Sequence, residues 1–583
     1  MRWLKGVMLI FGLWLFVMCT NSDVPVVPTS EQLQDGEWTG SGEGRSGSII
    51  VEVTVENHQV AKVTVVSQSE STFAQETINT ICESAIGRTE EMGLEVDGVT
   101  GATLTSKGVI DAINMALQAS MGKSVDPSKI YKDGSCDIVV IGAGGAGLSA
   151  AVAATETDSS LQIIVLEKQG IIGGNTNYST GGINAAETDI QKGLGIEDSK
   201  QLFYDDTMSG GKNENIPSLV ENLVEHAPVT ISWLIGLGAD LSDVGLMGGS
   251  SVKRTHRPKG GSAIGPHLMK VLNDATTNKN IEIRTSNKVT GLLSAIDGSV
   301  TGVKVQNANG STYSLTAKAV IIATGGFGAN LDMVTSLQPS LKGFATLNHP
   351  GATGDAFGWM KAVGGHTIQM ANIQIHPTAE AKNHILITEA VRGNGAILIN
   401  YEGKRFCNEM DTRDVVSAAI LEQKQDKAFL IFDQGVRKSL AAIETYANQH
   451  LLNEGNTVAE LAEGIGIPAA DLEATLNRYN TQQKAGVDED YGRSATEMPV
   501  SLENAPYYAV CVTPAIHHTM GGLSVNTDTQ VLKEDGTPVA GLYAAGEVTG
   551  GLHGANRLGG NGVADIVVNG RLAGLAAAKF QKK

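Results

Sequence analysis

The segment Gly142-Ala143-Gly144-Gly145-Ala146-Gly147 carries the first chemistry legible in this sequence. It follows a short apolar run, Cys136 to Ile141, and leads into an alanine-rich stretch, so the pattern predicts a strand, a tight turn and a helix. A second apolar run, Gln162 to Leu166, ends in Glu167, twenty residues past Gly147. Gly142, Gly144 and Gly147 would permit the turn and let a pyrophosphate approach a helix N-terminus, while Glu167 stands where an acid meets an adenosine ribose. That is dinucleotide chemistry, and it does not by itself separate FAD from NAD.

Three further segments favour FAD. Gly173-Gly174-Asn175-Thr176 lies just past Glu167, with Ser179-Thr180-Gly181-Gly182 after it. Ala319 to Ala323 reads as another buried strand and ends in Thr324-Gly325-Gly326. Near the C-terminus, Gly546-Glu547 follows an apolar strand and resembles the second ribose contact of FAD enzymes. A small-residue helix from about Val563 to Phe580 would then point its N-terminus at the flavin. A chain that returns at its far end to complete a nucleotide site is a two-part domain with an insert. Asn175, Thr176, Gly182, Gly325 and Glu547 therefore join the candidate cofactor contacts.

The elements that must position these groups fit a chain of 583 residues, enough for about four units at roughly 150 residues each. Hydrophobic residues at 42% and charged residues at 18% are a globular balance. A formal charge of −19 disfavours nucleic acid as a partner and would repel small dicarboxylates at long range, so any anion site must be built locally. The five cysteines show neither C-x-x-C nor C-x-x-C-H spacing, which argues against a zinc knuckle and a c-type haem; no metal site is expected.

At the N-terminus, Arg2 and Lys5 precede an apolar run from Val7 to Met18, too short for a spanning helix of about 20 residues. This is the pattern of a signal peptide, and Cys19 directly after it suggests lipid anchoring of an exported protein. The bulky Phe16, Val17 and Met18 depart from the small residues usual before such a cysteine, and ordinary secretion or an uncleaved anchor are the alternatives.

Between residues 35 and 122 the alternation of Ile49, Val51, Val53 and Val55 predicts a strand, a turn at 56–59 and a second strand from Val60 to Val66. Helices are expected around Phe73 to Ile86 and Lys107 to Gln118. Before the latter lies Asp97-Gly98-Val99-Thr100-Gly101-Ala102-Thr103-Leu104-Thr105-Ser106, which composition alone reads as a capped turn. The same run resembles the flavinylation motif of small FMN-binding domains. That resemblance implies FMN linked covalently by a phosphodiester to Thr103, with a dedicated flavin transferase as a maturation partner.

From about residue 135 to the C-terminus, near three quarters of the chain, longer motifs follow in order. They are Thr255-His256-Arg257-Pro258, Ile375-His376-Pro377-Thr378, Thr388-Glu389-Ala390-Val391-Arg392-Gly393, Arg405-Phe406-Cys407-Asn408-Glu409, Thr412-Arg413-Asp414, His517-His518-Thr519-Met520-Gly521-Gly522 and His553-Gly554-Ala555-Asn556-Arg557. Together they resemble the soluble fumarate reductase flavoproteins, the flavin subunit of flavocytochromes c. The resemblance implies that His376, Thr388, His517 and Arg557 hold two carboxylates and that Met247 packs on the substrate. It implies that Arg413 donates a proton, with Glu389 and Arg392 as its relay. Glu389 and Arg392 are three apart and would share a face of a helical turn. Singly, each has a plainer alternative: Arg413 paired with Asp411 or Asp414, Glu389–Arg392 as a surface pair, His376 as a structural residue before Pro377. One departure from the haem-bearing relatives is that the FMN module stands where their haems would.

The expected architecture is an α/β fold: a two-part Rossmann-like FAD domain (135–370 and 516–583), an inserted α+β cap (371–515), a linker (123–134), a small α+β FMN domain (35–122) and an export segment (1–22). FAD would be bound non-covalently. The expected activity is reduction of fumarate to succinate, with a small unsaturated carboxylate as substrate and a membrane quinol-linked or flavin-based donor feeding FMN. Another enoate (urocanate, acrylate or methacrylate), or a protein that only passes electrons between flavins, is the alternative; retention of His376 and Glu389 weighs against urocanate.

Overall fold

The computed structural model describes residues 33–43, 48–67, 75–89, 103–120, 130–308, 310–382, 384–448 and 451–580. The expected export segment with Cys19, residues 97–102 of the flavinylation motif and most of the expected linker lie outside the described residues.

The N-terminal domain is an antiparallel sheet of β1 (Gly36–Glu43), β2 (Ser48–Glu56) and β3 (Gln59–Ser67), packed on α1 (Gln75–Ala85) and α2 (Thr103–Ser120). Strand β2 turns into β3 through Asn57 and His58 at φ 53° and 61°, a two-residue turn whose twist matches the hairpin. Strand β1 forms although its Gly-Glu-Trp-Thr-Gly-Ser-Gly-Glu sequence has no alternation of apolar residues. Its glycines serve another purpose: a β-carbon on Gly40 would overlap the Ala112 carbonyl of α2, so the strand is small where the helix backbone lies on it.

The second domain is built on a six-stranded sheet. It contains β4 (Ile138–Ile141), β5 (Ile163–Leu166), β6 (Glu282–Arg284) and β7 (Ala319–Ile322), followed much later in the chain by β12 (Gln530–Leu532) and β13 (Pro538–Ala544). The order is β6-β5-β4-β7-β13-β12, parallel except for the edge strand β12. Strands β4, β5 and β7 are buried at every position, as parallel strands covered on both faces must be. Helix α3 (Gly145–Thr157) follows β4, and the C-terminal helix α6 (Asn561–Phe580) lies along it in the most extensive helix pairing of the molecule. Gly574 makes that approach possible, since a β-carbon there would overlap the Ala150 carbonyl. The order places a crevice at the C-terminal ends of β4 and β7, the usual place for a ligand in such sheets.

Between β7 and β12 the chain builds the cap. Its antiparallel sheet runs β8 (Ile373–Glu380), β11 (Tyr507–Thr519), β10 (Ala428–Asp433), β9 (Ile397–Ile399), with Asn453–Gly455 also beside β11. The short α4 (Ala390–Gly393) precedes β9, and α5 (Arg413–Leu421) lies across β8. The cap has its own core, including Leu398, Ile431, Phe432, Leu472 and Tyr508. The boundary expected between residues 515 and 516 falls inside β11, because this strand leaves the cap and ends at the FAD domain, where Thr519 N–H donates to Glu547 at 3.0 Å.

Gly574→Leu should lower the stability of the FAD domain by about 3 kcal/mol, since the Ala150 carbonyl cannot move without breaking α3. Thermal unfolding followed by flavin fluorescence would show an earlier FAD-release transition, while the far-UV signal at low temperature stays native.

Candidate active site

The crevice beyond β4 and β7 is a cleft lined by Gly142, Gly144, Glu167, Asn175, Thr176, Gly325 and Glu547, among others. Gly142 sits at φ 105°, and any side chain there would overlap the Ala323 carbonyl at the end of β7. Gly147 does not line the cleft; it lets α3 rest on the Gly142 carbonyl. Gly182 lies in the neighbouring cavity instead. The Glu167 carboxylate accepts from the Ala143 and Gln169 N–H groups at 2.9 Å each, and burial pushes it above the usual carboxylate range. Thr176 Oγ1 accepts from Gly145 N–H at 3.0 Å at the start of α3. Asn175 donates to Asn348 at 2.7 Å and to Glu547 at 3.3 Å, and burial also raises Glu547.

These residues fit a dinucleotide. Glu167 would meet a ribose, and the N-terminus of α3 with its glycines would hold the pyrophosphate. Thr324 Oγ1, in the wall of the cleft, is buried with no hydrogen-bond partner among the described residues, and so is His518 Nε2 in the adjoining cavity. Buried polar atoms of this kind call for a polar ligand.

That adjoining cavity shares Asn175, Thr176, Glu547 and Ile566 with the cleft, so the two form one continuous site. Its walls bring together Met247, His376, Thr388, Glu389, Arg413, His517 and Arg557. His376 comes from β8, His517 from β11, Glu389 from the residue before α4, Arg413 from the first turn of α5, and Arg557 from the loop leading to α6. The His376 and His517 rings meet edge to face, 5.0 Å between centroids. Burial, reinforced by the nearby Arg413, holds both imidazoles well below their ordinary range, so they are neutral at pH 7. Thr388 is fixed through its N–H, which donates to the Tyr446 hydroxyl at 2.9 Å.

Arg413 Nε donates to Glu389 Oε2 at 2.9 Å, and its Nη1 donates to Gln374 Oε1 at 3.1 Å. Burial alone would raise the Glu389 carboxyl, but Arg413 and Arg392 outweigh it and leave it below the usual range. The Gly248 N–H also donates to Glu389. Arg392 does not reach the cavity; it lies behind Glu389, with Nη2 at 3.8 Å from Oε2. Arg413 takes Glu389 as its partner, while Asp414 is engaged by Lys212 and Thr412. The Glu389–Arg392 pair is not on the surface, for both side chains are almost wholly buried. Arg557, also buried, donates from Nη1 to the Leu558 carbonyl at 3.1 Å, and its Nε has no partner among the described residues; burial and the proximity of Arg413 lower it to about 9.

Sequence reasoning missed the residues that hold these groups. Gln374 donates to Asn556 at 2.6 Å and to the Arg557 carbonyl at 2.8 Å, so it links Arg413 to the loop of Arg557. Its signal was its place two residues before His376 in a strand, which puts both on one face. Behind Arg392, Glu409 accepts from Arg405 at 2.9 and 2.8 Å and from Arg493 at 3.2 Å, and Asp488 closes the cluster on Arg405 at 3.0 Å. The Arg405–Glu409 spacing of four was visible, but Asp488 and Arg493 are too distant in sequence to have been paired with it.

Comparison with known proteins agrees with the class this fold and site define. Residues 137–563 match the FAD binding domain family and residues 44–118 match the FMN-binding domain family. The chain is 47% identical to a fumarate reductase (cytochrome) of Shewanella frigidimarina, over 77% of this chain and 78% of that protein. It is 38% identical to an NADH:fumarate oxidoreductase of Klebsiella pneumoniae over 97% of this chain, which spans 61% of that longer relative. It is 36% identical to a urocanate reductase of Eggerthella lenta over 93% of this chain and 92% of that one. This is an FAD-dependent oxidoreductase with an FMN-binding domain before its catalytic part. The chain belongs to the fumarate reductase flavoprotein family.

Gln374→Ala should leave buried Arg413 Nη1 and Asn556 Oδ1 unpaired, at a cost of about 2 kcal/mol in transition-state stabilisation, or roughly 30-fold in kcat. Steady-state kinetics with a one-electron dye as reductant would read this, with FAD content unchanged.

Proposed function

We propose that this enzyme reduces the C=C bond of a small unsaturated dicarboxylate, and that the substrate is fumarate. The observation that carries the reading is the composition of the cavity beside the dinucleotide cleft: two neutral histidines, Thr388 and two guanidiniums face one small space. Two carboxylates need cationic and neutral donors at separate points, and His376, Thr388, His517 and Arg557 supply them. Met247, buried in the wall of the same cavity, would press the substrate into place.

The reduced flavin supplies the hydride equivalent, and the chain supplies everything else. Arg557 and the histidines stabilise the negative charge that builds on the carboxylate as the double bond is reduced. Arg413 delivers a proton to the second carbon, so the C=C bond becomes a CH–CH bond with one hydride and one proton added. A guanidinium is a very weak acid and can act this way only if its proton is replaced at once. Glu389, at 2.9 Å from Arg413 Nε, is placed to return it, with Arg392 behind as the next member of the chain. The cap carries His376, Glu389 and Arg413 while the FAD domain carries Arg557, so closure of one on the other would exclude water during the transfer.

Thr103 would hold FMN, attached covalently by a flavin transferase, and that flavin would supply electrons taken from a membrane quinol-linked or flavin-based donor. The charged start, apolar run and Cys19 of residues 1–19 support export and a lipid anchor at the outer face of the cell membrane. A second reading keeps the mechanism and changes the enoate. It is favoured by the similarity to a urocanate reductase that extends over both flavin domains.

The test is anaerobic reoxidation of reduced methyl viologen by the purified holoprotein with fumarate as acceptor. Turnover that falls about a thousandfold or more in Arg413→Ala is the expected result. No turnover with fumarate, both flavins being present, would discard fumarate; urocanate, acrylate and methacrylate are the next acceptors, and inactivity with all of them would leave an electron carrier. Thr103→Ala should keep the dye-driven rate and lose the rate with the native donor.

A further inference from the structure

Helix α2 has one buried row and a second, half-buried one. Val109, Ile113 and Leu117 belong to the core of the N-terminal domain. Two residues round the helix, about 200° away, lies a second row with a spacing of four: Lys107, Asp111 and Met115. Met115 is 1% exposed although it is no part of that domain's apolar core. What covers it is the FAD domain. A β-carbon on Gly170 would overlap Met115 Sδ and stand 3.1 Å from its Cε. Gly170 is not at positive φ, so its smallness serves the contact and not the backbone.

The two charged members of the row face the same domain. Tyr178, raised mainly by burial, feels the Asp111 carboxylate, and His349, lowered mainly by burial, feels the Lys107 ammonium. Burial raises Asp111 itself to about 6 and lowers Lys107, as it does for groups pressed against a neighbouring surface. Tyr178 and His349 touch, 5.6 Å between ring centroids; Tyr178 lines the substrate cavity and His349 the dinucleotide cleft. The row therefore lies near Tyr178 and His349, where the two halves of the site meet. Thr103 opens α2, one turn before Lys107.

We infer that the Lys107–Asp111–Met115 row is the face by which the N-terminal domain brings its flavin to the FAD domain, and that Gly170 is the seat that lets it close. This rests on the proposed relay. In that relay a reduced flavin held by Thr103 would give two electrons to FAD and end oxidised, with the two protons exchanged through solvent. In this role Met115 and Gly170 are positioning residues and touch neither substrate nor the reacting atoms.

Two variants approach the contact from opposite sides in the holoprotein: Gly170→Leu fills the seat, and Met115→Glu puts a charge into it. Stopped-flow absorbance would follow electron passage from FMN to FAD, and mass spectrometry would follow acetylation of Lys107 by an amine reagent. Both variants should slow the passage by about tenfold or more, in proportion to the docked fraction, and make Lys107 more reactive. Flavin content and viologen-driven fumarate turnover should not change, and Gly170→Leu combined with Met115→Ala should restore the passage. Wild-type passage in both variants, or Lys107 equally reactive in all proteins, overturns the inference. Thr103→Ala separates the two readings. If it loses the native-donor rate while the seat variants transfer normally, the relay stands and the seat falls; if it keeps that rate, relay and delivery fall together.

Discussion

A guanidinium held at the first turn of a helix, nine-tenths buried in the wall of a cavity, is the arrangement on which the rest of this structure depends. Arg413 opens α5, where the helix dipole opposes a cation, and Arg557 adds a second positive charge nearby. Among the described residues, Glu389 and Gln374 hold it there, through contacts of 2.9 and 3.1 Å. Removing one partner of a buried pair of this kind costs about 3–5 kcal/mol, so the holding residues must be as well fixed as the arginine. The cap answers that demand element by element. Strand β8 presents Gln374 with His376, the turn before α4 presents Glu389, and the Arg405–Glu409–Asp488–Arg493 cluster fixes the backbone behind Arg392 through the Arg493 bond to the Arg392 carbonyl at 2.6 Å.

The site is electrostatically at odds with the chain that carries it. With a formal charge of −19 the protein draws no carboxylate from a distance. Binding must rest on short-range donors in a space of low dielectric, where each is worth more than in water. The same burial keeps His376 and His517 neutral, so they donate hydrogen bonds without adding to the repulsion between Arg413 and Arg557. A dianion entering this space relieves that repulsion, which is one physical reason for placing two guanidiniums together.

Close approach of backbones recurs at each level of the molecule. Gly40 admits α2 to its sheet, Gly142 admits β7 to the nucleotide turn, Gly574 admits α6 to α3, and Gly170 admits Met115 of the N-terminal domain. Many of the 70 glycines are thus explained by packing as much as by turns. The continuous strand β11 adds a covalent route, since one end pairs within the cap and the other meets Glu547 at the dinucleotide cleft.

The sequence by itself determined what depends on neighbours in the chain. Strands β4, β5 and β7 were legible as apolar runs, the nucleotide turn as glycines between a strand and a helix, and the hairpin of the N-terminal domain as alternation around residues 56–59. The catalytic candidates were legible only through long motifs that resemble a family. Tertiary structure alone decided which groups meet. Glu389 and Arg413 are 24 residues apart, Gln374 and Asn556 are 182 apart, and no local pattern pairs them. It also decided that Arg392 stands behind the cavity instead of in it, that Gly147 packs and does not line the cleft, and that β1 is a strand despite its composition. The physical reason is common to all of these. Periodicity reports which face of an element is buried, whereas the partner that buries it is set by the packing of segments that the sequence keeps far apart.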